Sequence, residues 1–246
     1  MIMRLVFFVI TAILIIGCGP QTSIPANSSP TPFSGWEVSV TENPATEVPP
    51  QQAPVSSDEC GNPYYPLKSG AQWTYNGPQG PFTHTISSSG SGIFTINVES
   101  GADTFLIQAL CMEGGDINLL QVPGDSLSYS GDSGSSTMTT TSNEGVTLPG
   151  DIQVGDDWSQ TIGGEVSAGG QKMNFTLNST YTAIGYENVS VPAGTFNALK
   201  IEQSSDMGGP KPMIQTLWYV QEVGMVKSEI DIGELVVQEL VSYNIP

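Results

Sequence analysis

His84 is the one imidazole in this 246-residue sequence, so it is the first residue to consider as a catalytic base. A serine nucleophile needs a base beside it, and the sequence has no Gly-x-Ser-x-Gly motif to present such a serine. The neighbours Thr83 and Thr85, together with the alternation of the segment, predict an exposed position for His84 on the surface or edge of a strand. The sequence therefore gives little support for a serine-type hydrolase.

Two carboxylate pairs, Asp156 with Asp157 and Asp125 with Asp132, have the residue types for acid–base catalysis or calcium binding. Neither pair lies in an EF-hand pattern or in a repeat with ligands at the required spacing. We therefore predict no metal site and no cofactor, and interpret the pairs as acidic turns. A hydrolase of wall or extracellular polymer that uses two carboxylates is the alternative function.

Aromatic residues offer a second kind of site. An exposed surface made of Tyr65, Trp218 and Tyr219 could stack against a sugar ring, so these three residues are the ligand-binding candidates. The competing interpretation places the tryptophans Trp73, Trp158 and Trp218 in the core, because each can bury on the order of 200 Å². Core packing is the favoured interpretation.

Cys60 and Cys111 are the two cysteines that follow Cys18. In an oxidising compartment such a pair predicts a disulfide, which would restrict the unfolded chain by roughly 4 kcal/mol. A two-cysteine metal site is the competing interpretation, but a single histidine leaves it short of suitable ligands.

Residues 1–17 have the parts of a secretory signal: Arg4, an apolar run from Leu5 to Ile16, and a small residue before Cys18. The run is shorter than the roughly 20 residues that cross a bilayer. Ile15-Ile16-Gly17-Cys18 resembles the bacterial lipobox, and this resemblance implies export, cleavage before Cys18 and acylation of its thiol. We expect a lipid-anchored protein that faces the periplasm or the cell exterior, with the membrane as its partner.

The charge of the exported chain excludes one class of partner. Without Arg4, five lysines face 24 acidic residues, which gives a formal net charge of −19. Nucleic acids require a basic patch, so we predict no nucleic-acid partner.

Composition changes near residue 60. Residues 18–59 are rich in Pro, Ser, Thr, Gln and Asn without a sustained period, which predicts a disordered tether. Residues 60–246 have short alternating segments separated by glycine and proline. In one of them Phe94, Ile96 and Val98 share a face, which is typical of a half-buried strand. The prediction is an all-β domain, built as an antiparallel curved sheet, a barrel or a sandwich.

Weak internal similarity suggests two similar halves. Gly70 and Trp73 after Leu67 have a counterpart in Gly155 and Trp158, which follow Ile152 and Val154. A second similarity joins the sequences around Gly101 and Gly194. Between the halves, the Ser-, Thr-, Gly- and Asp-rich stretch 128–145 predicts a mobile loop.

Three stretches carry a family resemblance: Tyr64-Tyr65-Pro66-Leu67-Lys68-Ser69-Gly70-Ala71-Gln72-Trp73-Thr74-Tyr75, Val191-Pro192-Ala193-Gly194-Thr195-Phe196-Asn197-Ala198-Leu199-Lys200, and Trp218-Tyr219-Val220-Gln221-Glu222-Val223-Gly224-Met225-Val226-Lys227. They resemble β-rich domains of unknown function in exported bacterial proteins and lipoproteins. The resemblance brings no catalytic residues. The leading hypothesis is a non-catalytic binding or envelope-associated module, and a purely structural envelope protein is not separated from it.

Overall fold

The computed structural model describes residues 60–119, 126–131, 134–168 and 170–246. Cys18, the predicted signal at 1–17 and the predicted tether at 18–59 lie outside the described residues. The same is true of Asp125 and Asp132.

Regular structure in the described part of the chain is entirely β, as predicted. The strands are β1 (Gln72–Gly77), β2 (Gly80–Gly90), β3 (Ile93–Ser100), β4 (Asp103–Cys111), β5 (Ile117–Leu119), β6 (Ser126–Gly131), β7 (Gly134–Gly145), β8 (Asp157–Ala168), β9 (Gln171–Val191), β10 (Gly194–Asp206), β11 (Met213–Val220), β12 (Gly224–Asp231) and β13 (Leu235–Asn244).

All of these strands join one antiparallel sheet in which nearly every strand pairs with the next along the chain. β13 pairs with β1, and β4 pairs with β3 on one edge and with β5 and β6 on the other. The pairings therefore form a complete circuit of twelve strands, with the short β5 as an addition. The single circuit favours the barrel-like arrangement over a sandwich of two separate sheets.

Tight turns set the register of this meander. Gly194 pairs with Val191 across the turn at Pro192, and the left-handed φ of 142° at Gly194 suits a residue without a Cβ. Strands β9 and β10 form a hairpin at this turn. The predicted alternation in β3 is confirmed, since Phe94, Ile96 and Val98 are buried.

The prediction of a loop at residues 128–145 is wrong. Most of this stretch forms β6 and β7, and β7 pairs with β8 along most of its length. Threonine is β-branched and suits a pleated strand, and the side chains of Met138 and Thr140 are buried. A composition rich in Ser and Thr is therefore compatible with a strand as well as with a loop.

The strand order divides into two runs of six, β1–β4 with β6 and β7, and β8–β13. Gly70 precedes the first run and donates its N–H to Ile86 O at 2.8 Å, and Gly155 precedes the second and donates to Ala183 O at 2.7 Å. Both glycines have a left-handed φ. The first sequence similarity thus marks equivalent positions. The second does not, since Gly101 lies in the third hairpin of its run and Gly194 in the second.

Residues 60–71, the N-terminal segment, lie across the end of the sheet where β1 begins. A disulfide joins Cys60 to Cys111 at a Cα–Cα distance of 5.7 Å, which confirms the predicted pair. Asn62 donates to the carbonyl oxygens of Gly115, Leu148 and Pro149, which belong to the connections after β4 and β7. The segment thereby ties distant connections together at one end of the sheet.

Candidate ligand cavity

A partly open cavity of about 160 Å³ lies inside the sheet. Its lining includes Tyr65 of the N-terminal segment and Met213 at the first position of β11, so it extends between the two ends of the sheet. Most lining side chains are aliphatic or aromatic. Aliphatic hydroxyl and amide groups come from Thr147, Gln160, Ser179, Gln203, Ser205 and Gln215, and phenolic hydroxyl groups come from Tyr65, Tyr75, Tyr181 and Tyr219.

Strand alternation places these side chains. In β11 the residues Met213, Gln215, Leu217 and Tyr219 line the cavity, and each is separated by one residue from the next. In β10 the same spacing places Ile201, Gln203 and Ser205 on the wall. The residues that line the cavity can therefore be identified from the sequence only when the inward face of each strand is known.

The wall from β8 to β10 contains several polar side chains that are hydrogen-bonded within the protein. The hydroxyls of Ser179 and Ser205 lie 2.9 Å apart, and Gln203 Nε2 donates to Ser205 Oγ at 2.9 Å. Gln160 Oε1 accepts from the Thr147 hydroxyl at 2.9 Å. These groups satisfy one another, which offsets the cost of removing them from water.

The wall from β1 and β2 is aromatic and contains His84. The ring of His84 lies 5.2 Å from that of Tyr75 and 5.4 Å from that of Phe82. Among the buried side chains that the structure describes, the ring nitrogens Nδ1 and Nε2 of His84 are the atoms without a hydrogen-bond partner. Burial lowers the pKa of His84 from 6.5 to about 4. The imidazole is therefore uncharged at neutral pH.

The prediction that His84 is exposed is wrong, since only 5% of its surface is accessible. His84 shares the inward face of β2 with Phe82 and Ile86, which are both buried. The neighbours Thr83 and Thr85 lie on the other face, as alternation requires. Phe82 and Ile86, at positions i−2 and i+2 from His84, were the signal in the sequence that His84 lies on the inward face of β2.

The three aromatic ligand candidates do not form one surface. Tyr65 and Tyr219 line the cavity, and Tyr65 stacks on Trp73 with ring centroids 5.6 Å apart. Trp218 precedes Tyr219 in β11 and therefore faces the opposite side of the sheet. Its ring is buried there, and its Nε1 donates to Glu187 Oε1 at 2.5 Å.

Two lysines cover Trp218 on that outer side. Lys200 Nζ lies 5.4 Å and Lys227 Nζ 5.1 Å from the ring centroid, within range of cation–π attraction. Glu187, which accepts the indole N–H, also lies 3.7 Å from Lys200. This packing leaves the indole face covered by the protein's own side chains.

Charged residues stand apart from the cavity. No Asp, Glu, Lys or Arg belongs to its lining in the described part of the chain. Asp156 accepts the Gln153 backbone N–H in the turn before β8, and Asp157 accepts the Thr182 hydroxyl. Within the described ranges, no three His, Cys, Asp or Glu side chains lie close enough to hold a metal ion. The residues that the structure describes also include no helix with the length and hydropathy of a membrane span.

Comparison with solved structures identifies three similar chains. A protein from Bacteroides fragilis described as exported and with a YmcC-like fold is 15% identical, with a TM-score of 0.41 over 74% of this chain and 99% of that chain. A protein described as a lipoprotein from Parabacteroides distasonis is 13% identical, with a TM-score of 0.36 over 76% and 100%. The hypothetical lipoprotein YmcC from Escherichia coli is 14% identical, with a TM-score of 0.37 over 75% and 86%.

No curated protein matches the sequence. Residues 132–231, which begin just before β7 and end with β12, match the DUF3108-like family.

Proposed function

We propose that this chain is an extracytoplasmic lipoprotein, anchored through acylated Cys18, whose β domain at residues 60–246 binds a small, mainly apolar ligand without catalysing a reaction on it. The observation that carries the binding role is the interior cavity of about 160 Å³ with its uncharged lining. The lipobox-like sequence supports the anchor. In the proposal, the tether at 18–59 spaces the domain from the membrane.

The chemistry of the lining supports binding rather than catalysis. Ligand sites are typically concave and mostly apolar, with a few polar groups that orient the ligand. A dry apolar cavity of about 150 Å³ is large enough to bind benzene. Hydrolysis by two carboxylates needs both acids at one cleft, and the lining described for this cavity contains neither Asp nor Glu.

The anchor is tested by metabolic labelling of the full chain in a bacterial host. We expect labelled palmitate to attach to the wild-type protein and the Cys18→Ser variant to remain unlabelled and leave the membrane fraction. A wild-type protein without label, together with a serine variant that stays equally membrane-bound, would contradict the anchor.

The cavity is tested with p-xylene, an apolar probe of suitable size. Met213 lines the cavity and Ile214, the next residue of β11, is 40% exposed on the outer face. We expect Met213→Trp to weaken p-xylene binding at least about tenfold, because an indole fills the space, and Ile214→Trp to leave Kd within about twofold. Ligand-observed NMR measures Kd.

Two results would contradict the binding role. The first is no binding of p-xylene, or of any other small apolar probe, to the folded wild-type protein. The second is release of sugars from wall polymer at a rate that Met213→Trp leaves unchanged, which would favour the hydrolase alternative.

A further inference from the structure

His84 differs from the other buried polar side chains that the structure describes. Burying a hydrogen-bonding group without a partner costs about 1 to 3 kcal/mol, so proteins rarely retain such a group without a reason. Gln160, Ser179 and Ser205 on the same cavity have their partners within the protein. Neither ring nitrogen of His84 has one. The missing partner is therefore expected from the space that His84 lines.

The surroundings of His84 favour a ligand over an ordered water molecule. A buried water needs two to four polar partners. The rings that flank His84 are those of Tyr75 and Phe82, and the Tyr75 hydroxyl donates to Met225 O at 3.0 Å, so it has only acceptor capacity left. An apolar molecule with one polar group fits this part of the wall better, because its apolar body can pack against the aromatic rings.

The charge of the polar group follows from the lining. A carboxylate or ammonium in this cavity would be buried without a charged partner, since no lining side chain of the described chain is Asp, Glu, Lys or Arg. The imidazole is itself neutral, because burial lowers its pKa to about 4. A neutral imidazole has one donor and one acceptor nitrogen, and a hydroxyl group can both donate and accept.

We infer that the cavity binds a small uncharged amphiphile, an apolar body with a hydroxyl group, and that this hydroxyl forms a hydrogen bond with His84. The inference rests on the proposed binding function and specifies its ligand class. His84 is then the residue that selects for a ligand with a hydroxyl group.

The test compares p-cresol with p-xylene, which has a methyl group in place of the hydroxyl and a similar volume. Hydration favours leaving the hydroxyl in water, so the informative quantity is the ratio of the Kd of p-xylene to that of p-cresol, measured in two proteins. We expect this ratio to be about tenfold higher in the wild-type protein than in His84→Phe, in which the hydrogen bond is lost. Thr85→Val, on the outer face of the same strand, should leave the ratio within about twofold.

A second readout needs no variant. His84 is the one histidine of the sequence, so ¹⁵N-histidine labelling of tag-free protein yields signals from this ring alone. We expect p-cresol to shift the ring nitrogen signals and p-xylene to leave the donor and acceptor pattern unchanged. This measurement remains decisive where His84→Phe fails to fold.

Several outcomes would overturn the inference. One is an equal ratio in the wild-type protein and in His84→Phe while p-xylene still binds, which would leave the proposed function intact. Another is tighter binding of 4-methylbenzoate than of p-cresol with protonation of the ring, which would show that the ligand is an anion. Loss of the preference in Gln215→Met, on the polar part of the lining, but not in His84→Phe would place the polar contact elsewhere. Failure of both p-cresol and p-xylene to bind would contradict the proposed function itself.

Discussion

Asn62 and His84 are both polar and almost fully buried, with exposed fractions of 2% and 5%, yet their surroundings are opposite. Asn62 donates to three backbone carbonyl oxygens and accepts from the backbone N–H groups of Tyr64 and Tyr65. His84 has no partner at either nitrogen. A fully paired buried group contributes to the fold, whereas an unpaired one reduces stability unless a ligand completes it.

The positions of the two residues explain this difference. Asn62 lies in the N-terminal segment, where its amide donates to the loop carbonyl oxygens of Gly115 and Pro149. It also donates to Leu148 O, which accepts the Ile117 N–H as well. His84 lies within β2, whose backbone groups are already paired with β1 and β3. The His84 ring therefore forms no hydrogen bond with the backbone. Asn62 therefore holds parts of the fold together, whereas His84 faces the cavity.

The largest effect expected from this comparison follows from Asn62→Ala. The substitution removes five hydrogen bonds and leaves buried carbonyl and N–H groups unpaired, so we expect the free energy of unfolding to fall by about 5 kcal/mol. Urea denaturation with the disulfide intact measures it. Asn97, whose amide bonds to Glu99 at an exposed site, is the control, and Asn97→Ala should change stability by no more than about 0.5 kcal/mol. A similar decrease in the free energy of unfolding in both variants would show that the buried hydrogen bonds of Asn62 contribute no more than the exposed one of Asn97.

The next effect concerns the pH dependence of stability. Burial lowers the pKa of His84 in the folded protein from 6.5 to about 4, so the unfolded chain takes up a proton first as the pH falls. The contribution of neutral His84 to the free energy of unfolding is fully present above pH 6.5. It is lost as the pH falls from 6.5 to 4. The wild-type protein should therefore lose on the order of 3 kcal/mol more than His84→Phe over this range.

The comparison with His84→Phe isolates the histidine. All carboxylates are common to both proteins, and Tyr75, the titratable group beside the ring, stays neutral because burial raises its pKa. Urea denaturation at a series of pH values gives the two curves. Parallel curves would mean that His84 is accessible to protons in the folded protein.

The sequence predicted the fold better than the site, for physical reasons. Period-2 alternation is local, so the strand containing Phe94, Ile96 and Val98 was foreseeable from its own residues. The disulfide followed from cysteine number and compartment. The misassigned loop at 128–145 reflects composition that both loops and strands can have, since Thr is β-branched as well as polar.

The cavity could not be predicted in the same way, because its wall combines residues from strands that are distant in sequence. His84 of β2 and Ser205 of β10 meet one space only because the pairings return from β13 to β1. Strand alternation could have excluded one prediction, the joint binding surface of Trp218 and Tyr219. Adjacent strand residues face opposite sides, so a joint surface of the two was already improbable from their spacing.

The smallest effect bears most directly on the role of His84. At pH 8 the ring is neutral and its nitrogens remain unpaired in the absence of ligand, so His84→Phe removes a desolvation cost and adds apolar contact with Tyr75 and Phe82. We expect the ligand-free protein to gain about 1 kcal/mol in the free energy of unfolding. Saturating p-cresol should reverse the order, because ligand stabilisation increases with the logarithm of affinity and the wild-type protein binds p-cresol more tightly. A variant that is less stable by several kcal/mol under both conditions would show that the imidazole supports the fold, and His84 would then belong with Asn62.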